Sequence, residues 1–251
     1  MTNVSSRART VEQPRGGYIN PKIMERVQFE DGITLNPESI APVTMGMIVD
    51  YLTRMDQGSA PEDAFHIGLR GAEMAGREEE GKGYVDGING LDDESINNAC
   101  RIVWFDQVVR AGRIGLGEPT DTVANHETCE NVRTMVSRAR AFFEKYGPVV
   151  EDAPTFLGGY TKTVNTGDGD FVTEDTFWDF KVSSKIPTKE NTLQLAMYFI
   201  MGHHSVWPNL QKLTKIGIFN PRLNAAFIMD MDSLDPEIIK NIERDVICYT
   251  D

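Results

Sequence analysis

Apolar positions recur with two different periods along this chain. Between Pro42 and Tyr146 the spacing is helical. Met45, Ile48, Val49 and Leu52 form one stripe, bounded by Pro42 in the first turn and Gly58 past the end, which predicts a helix over Pro42–Met55. Ser59 and Glu62 have the spacing of a capping box around Pro61, so a second helix is expected to run to Glu80 with Phe65, Ile67, Leu69 and Met74. Asp92 is the expected N-cap of a third, reaching Ala111 with Ile96, Ala99, Val103 and Trp104 inward. Val132, Met135, Val136, Ala139 and Phe143 predict a fourth over Glu127–Tyr146, stopped by Gly147-Pro148. Between these last two, GRIGLGEPTDTVAN reads as a loop, either a substrate lid or an ordinary connection.

Beyond Pro148 the period changes to two. Thr155–Val164, Gly169–Thr173 and Thr176–Ser183 are rich in Phe, Trp, Val and Thr and read as strands. A helix carrying Leu193, Met197 and Ile200 follows and ends at Gly202. Lys215–Phe219 and Ala225–Met229 are two more strands about an Asn220-Pro221 turn, and Pro236–Val246 is a final helix. Helices followed by β-β-β-α-β-β predict an α+β fold with a central mixed sheet flanked by helices. Residues 1–41 are polar, with scattered Pro and Gly, and read as a flexible or extended arm. The expected organisation is that arm and one domain over 42–251, helical in 42–150 and carrying the sheet in 151–251.

The second and third strands hold the candidate chemistry. Glu174 and Asp175 leave room for a tight turn, and a hairpin centred there pairs residues whose numbers sum to about 349. Asp170 then lies opposite Asp179, with Cβ atoms roughly 5 Å apart on one face. Lys181, two residues on, shares that face, while Phe171, Trp178, Phe180 and Val182 point to the other. A one-residue bulge would break this register. Two opposed carboxylates repel unless a cation lies between them. A carboxylate pair with a lysine is what metal-assisted phosphodiester hydrolysis needs: hard oxygen ligands for Mg²⁺ or Mn²⁺ and a cation for the developing charge. Taken singly, an Asp in Gly-Asp-Gly-Asp is a turn residue, and Asp-x-Lys on a strand is a solvated polar face.

In this order the residues resemble a known family. Asp170 followed by Asp179-Phe180-Lys181 is similar to the signature of the PD-(D/E)XK nuclease superfamily. Gly167-Asp168-Gly169-Asp170 resembles the G-x-x-D form of its RecB-like, or lambda-exonuclease-like, branch, and Gln194-Leu195-Ala196-Met197-Tyr198 that branch's Q-x-x-x-Y motif. The resemblance covers Thr155 to Met231. It implies a restriction-endonuclease-like core and a Mg²⁺- or Mn²⁺-dependent deoxyribonuclease of exonuclease type. It implies that Asp170, Asp179 and the backbone carbonyl of Phe180 bind the metal, and that Gln194 and Tyr198, one helical turn apart, hold the nucleic acid or the lysine. It also implies a further Glu or His ligand from an upstream helix. Glu73, among the small residues Gly71, Ala72, Ala75 and Gly76, is the first candidate; His66 and Glu130 are the others, and no motif singles one out.

Composition modifies this picture. The chain has 251 residues, 40% of them hydrophobic, and no apolar run of membrane-spanning length. No apolar segment follows the N-terminal arginines, so no secretory signal is expected. Cys100, Cys129 and Cys248 fit reduced thiols in a cytoplasmic protein and do not supply the four ligands of the iron–sulfur cluster that some RecB-like relatives carry. The net charge of −13 is unusual for a nucleic-acid-binding protein. Lys162, Lys181, Lys185 and Lys189 gather near the candidate site, with Lys185 the expected phosphate contact, and Arg7, Arg9 and Arg15 could touch a phosphate backbone. DNA is the expected partner. The acidic alternative is a catalytically degenerate nuclease fold that docks on a basic protein or mimics DNA.

Overall fold

The computed structural model describes residues 2–112 and 117–249. It begins with β1 (Thr2–Asn3), α1 (Val4–Thr10) and β2 (Glu25–Gln28). Seven helices follow: α2 (Pro42–Asp56), α3 (Pro61–Ala64), α4 (His66–Met74), α5 (Glu78–Asp86), α6 (Asp93–Val103), α7 (Asp106–Ala111) and α8 (His126–Tyr146). Then come β3 (Glu151–Asp152), β4 (Val164–Thr166), β5 (Phe171–Val172), β6 (Thr176–Phe180), α9 (Lys189–His203), α10 (Pro208–Gln211), β7 (Lys215–Asn220), β8 (Ala225–Asp230) and α11 (Pro236–Asn241). The result is an α+β chain with a central mixed sheet and flanking helices. It divides into two units, residues 1–29 with 142–251, and residues 30–141.

The first unit is built on a six-stranded sheet of order β2-β8-β7-β6-β5-β3, in which only β6 and β7 run parallel. A parallel neighbour requires a crossover, and α9 supplies it. Thr188 caps this helix, with its N–H donating to Asn191 Oδ1 at 2.9 Å. Leu193, Leu195, Ala196, Met197, Phe199, Ile200 and Met201 are all buried, so α9 is covered on nearly every side. Val4 and Ala8 of α1 belong to the same core, as do Ile242 and Val246 of the π-type turn Ile242–Ile247 that continues α11. The opposite sheet face packs Trp178 against Phe142 and Tyr146 of the last α8 turn, with ring centroids 4.7 and 5.2 Å apart.

Gly217 stands beside Trp178 in the neighbouring strand, and a Cβ there would overlap the indole ring. Gly217→Ala is therefore expected to destabilise this unit by about 1–3 kcal/mol, read as a lower urea midpoint. Gly217→Ala combined with Trp178→Phe should recover part of that loss, because the smaller ring gives way.

The second unit is helical. Asp92 caps α6 as expected, accepting from the amides of Glu94 and Ser95 at 3.0 Å. Helices α2 and α8 lie within one residue of the expected bounds, and two other expected helices are broken into shorter ones. The 59–80 segment is three helices: Ala60, not Ser59, is the first cap, and Gly76 at φ 70° ends α4. The 92–111 segment breaks at Trp104 and Phe105 into α6 and α7. In α8 Phe142 is the fully buried ring, and Phe143 is half-buried.

Residues 1–41 are not an arm. Residues 2–28 contribute α1 and an edge strand to the first unit, and residues 31–39 are tied to α8 in the second. Arg138 grips Asp31 at 2.6 Å, Asn131 exchanges two 2.8 Å hydrogen bonds with the Asn36 backbone, and Thr128 accepts from Ser39 N at 2.8 Å. The expected strand Thr155–Val164 is also absent. Gly158 at φ 90° turns the chain there, and only a single Thr155–Asp168 bridge and the short β4 remain.

Asp106 is the buried carboxylate of the second unit, 1% exposed. Its Oδ2 accepts from the Tyr51 hydroxyl at 2.7 Å and lies 3.5 Å from Arg110 Nε, while Oδ1 has no hydrogen-bond partner. Burial raises its pKa, against the pull of Tyr51, Arg110 and His66. A carboxyl raised in the folded state holds its proton longer than in the unfolded chain, so its contribution to stability is present at low pH and falls as pH rises through the folded pKa. Asp106→Asn, which keeps an acceptor for Tyr51, should gain in urea midpoint relative to wild type as pH rises above the unfolded-chain carboxyl value of about 3.9. A constant difference across that rise would contradict this.

Candidate functional site

The hairpin register is the one the residue pattern predicts: Phe171 pairs with Trp178 and Val172 with Phe177. Both strands are shorter than expected, and β5 begins only after Asp170, at Phe171. Had the ladder continued, Gly169 and Phe180 would exchange backbone hydrogen bonds. Instead Gly169 N donates to Pro154 O at 2.9 Å, and Phe180 N donates to the Asp170 side chain, Oδ2, at 2.6 Å. The Asp170 carboxylate therefore takes a ladder position at the end of β6. A strand residue's carbonyl leaves on the same edge as its amide, so the Phe180 carbonyl faces the Asp170 side with its ladder donor turned away.

Asp179 is 2% exposed and shares its face with Phe177. Phe177 stacks on Tyr198 of α9 at 5.4 Å, which makes this the face that α9 covers. Lys181 Nζ donates to Asp179 Oδ1 at 2.8 Å. Burial would lower the Lys181 pKa, but the Asp179 and Asp170 carboxylates outweigh it and hold the ammonium well above the ordinary lysine value. It is a cation and proton donor here, not a base. On α9, Gln194 Nε2 donates to Tyr198 Oη at 3.1 Å. Burial pushes the Tyr198 phenol up to about 12, the hydrogen bonds from Gln194 and Ser5 pull it back, and Asp170 and Asp179 add to the rise. Asp170, Asp179, Lys181, Gln194 and Tyr198 thus share one side of the sheet end.

Family models, curated proteins and solved structures return no match to this chain.

The remaining candidates are exposed or committed to other partners. Lys185 is exposed in the β6–α9 loop, its amide bonded to Ser183 Oγ at 3.0 Å. Glu73 is on α4 in the helical unit, exposed on a surface groove with Glu62, His66 and Lys82. The small residues beside it do pack closely, but on a different side: Gly71 and Ala72 are the buried ones, with Gly71 against Phe105. Glu130 pairs with Arg133 at 2.7 Å, and His66 Nδ1 bonds its own turn at Asp63 O, 2.8 Å. Beside these candidates, the two histidines at the end of α9 are also engaged: His203 bonds Leu213 O and His204 bonds Glu243, each at 2.9 Å. Arg7 is spent on the carbonyls of Asp245 and Val246. Residues 113–116 of the lid candidate lie outside the described residues.

One contributor was missed. Ser5 of α1 accepts from Gln194 Nε2 at 3.1 Å. The signal in the sequence is slight: Asn3 as an N-cap, with Val4 and Ala8 one turn apart.

Among the described residues no three His, Cys, Asp or Glu side chains converge as a metal-holding group. Mg²⁺ does not require one. It binds through one or two carboxylates, keeps several waters and takes further ligands from substrate phosphates. Two opposed carboxylates and a carbonyl released from the ladder are hard oxygen donors of that kind.

Proposed function

We propose that this chain is a metal-dependent deoxyribonuclease of the RecB-like exonuclease type, hydrolysing phosphodiester bonds with little sequence specificity on a restriction-endonuclease-like core. The observation that supports it best is the diverted ladder: Asp170 leaves its strand to bind the Phe180 amide, opposite Asp179 and on the face shared with Lys181, Gln194 and Tyr198. A purely structural hairpin would gain more from continuing the backbone pairing than from opposing two carboxylates.

Asp170, Asp179 and the Phe180 carbonyl would hold Mg²⁺ or Mn²⁺. When bound, the ion polarises the scissile phosphate and lowers the pKa of a coordinated water. Lys181, a fixed cation beside both carboxylates, orients the attacking water and offsets charge as it builds on the phosphate. Gln194 and Tyr198 supply hydrogen bonds to the strand, and Lys185 a screened phosphate contact from its exposed loop. Glu73 has no part in this reading.

The test is calorimetry with Mn²⁺ on wild type and Asp170→Ala, with cleavage of single- and double-stranded DNA followed in parallel. Wild type is expected to bind Mn²⁺ and cut only in its presence, and Asp170→Ala to lose both. Wild type that neither takes up Mn²⁺ nor cuts would overturn the proposal.

The charge distribution favours a second reading, an acidic docking module on a degenerate nuclease fold. Acidic residues outnumber basic ones two to one in residues 30–141 and are nearly balanced with them in the sheet unit. That reading requires salt-sensitive binding to a basic protein that persists in a chelator.

A further inference from the structure

Helix α1 reaches both motif segments. Thr2 and Asn3 pair in parallel with Val164 and Thr166. Val4, fully buried, lies on Gly167, where a Cβ would meet Val4 Cγ2 at 2.7 Å. Gly167 begins the run that ends in Asp170. The next residue, Ser5, meets Gln194 on the other segment. The helix is held in place at both ends: Asn3 caps it, accepting from Ser6 N at 2.7 Å, and Arg7 donates to Val246 O and Asp245 O at 2.9 and 2.8 Å.

A hydrogen-bond count shows what Ser5 does there. A primary amide has two N–H donors. Gln194 directs Nε2 at two hydroxyl oxygens, Ser5 Oγ and Tyr198 Oη, each at 3.1 Å. The Tyr198 oxygen is then an acceptor, and its own O–H is left to donate. Without Ser5 the amide keeps one partner, can turn about its terminal torsion, and no longer dictates which way the phenol donates.

We propose that Ser5 is a positioning residue of the site, acting on the Gln194–Tyr198 pair to hold Tyr198 as a hydrogen-bond donor to a substrate phosphate oxygen. The proposal rests on the nuclease reading above. It makes α1 part of the site rather than an appendage, with Val4 steadying the segment of Asp170 and Ser5 the pair on α9.

Ser5→Ala and Ser5→Thr test it, the second keeping the hydroxyl. Ser5→Ala is expected to lower kcat for DNA cleavage about 3- to 10-fold, with KM for DNA and the Mn²⁺ affinity unchanged, and Ser5→Thr to restore most of the rate. The Gln194 side-chain amide, identified by its loss in Gln194→Ala, gives a readout independent of activity. Its exchange with solvent should accelerate in Ser5→Ala and return toward wild type in Ser5→Thr. A Ser5→Ala enzyme with wild-type kcat overturns the proposal, as does equal impairment of both variants or unchanged amide exchange in Ser5→Ala. Should wild type not cut DNA with Mn²⁺, the nuclease reading itself fails and the substrate role of Tyr198 falls with it. Amide exchange then decides separately whether Ser5 orients Gln194.

Discussion

Lys181→Ala is expected to slow DNA cleavage by about 10²–10³-fold while Mn²⁺ uptake survives. The lysine is not a proposed ligand. Its ammonium lies 2.8 Å from Asp179 Oδ1 and is held protonated by Asp179 and Asp170. Its removal therefore takes away charge stabilisation and water orientation, leaving the oxygen donors in place. It also takes the Lys181 ammonium from Asp179, whose side chain is 3% exposed. Breaking a buried pair by removing one partner costs about 3–5 kcal/mol, and the one-third exposure of Lys181 puts this case at the low end. A divalent ion bound beside Asp179 would offset that cost. Mn²⁺ should accordingly raise the melting temperature of Lys181→Ala more than that of wild type. Single-turnover cleavage, calorimetry and thermal melts on the same preparations separate these effects. Cleavage by Lys181→Ala at the wild-type rate would remove Lys181 from the mechanism.

Trp178→Ala is expected to cost about 3–5 kcal/mol, a large share of the roughly 5–15 kcal/mol that holds a domain folded. Trp178 is fully buried in the central strand pair, contacts Phe142, Tyr146 and Phe171, and donates from Nε1 to Thr173 Oγ1 at 2.9 Å. Its loss opens a cavity between sheet and helix and leaves the Thr173 hydroxyl without that donor. Leu157→Ala, at a site 59% exposed in the same unit, should change stability by about 0.5 kcal/mol or less. Urea unfolding followed by circular dichroism compares the two. A Trp178→Ala midpoint near that of Leu157→Ala would mean that the aromatic layer does not carry the sheet's stability.

The sequence made the hairpin legible because its information is local. Two aromatic and β-branched runs flank a polar tetrapeptide, and one register lets Phe171 and Trp178 face the core together. The side of Asp179 follows from alternation within β6, whereas Asp170 and Lys181 lie just outside the strands and the turn of the Asp170 carboxylate to the Phe180 amide does not follow from it. The helical stripe of α2 and the Asp92 cap were legible for the same reason. What was not legible depends on distant partners. Ser5 is an isolated polar residue until α9, far along the chain, presents Gln194 to it. Residues 31–39 look like linker until Arg138 and Asn131 of α8 take their polar groups. Thr155–Val164 has strand composition, but the left-handed Gly158 turns it, and nothing in its period announces that. The small residues near Glu73 did signal close packing, yet helical rotation puts Gly71 and Ala72 inward and Glu73 outward, a distinction that composition does not make.

Residues 30–141 interrupt the sheet unit between the end of β2 and the last turn of α8. The two points of interruption return to one place, for the Phe29 and Phe142 rings are 6.5 Å apart. This sets an order of events on the ribosome. The helical unit has all its residues once Ala141 has emerged, while β2 was made first and has only β8 as a neighbour. That strand waits with its edges open until Ala225–Asp230 has been made. Three of its four residues, Glu25, Arg26 and Gln28, are polar and exposed even in the finished fold. An unpartnered strand of that character offers little to another chain, so the early strand is protected from aggregation by its own side chains until its partner arrives.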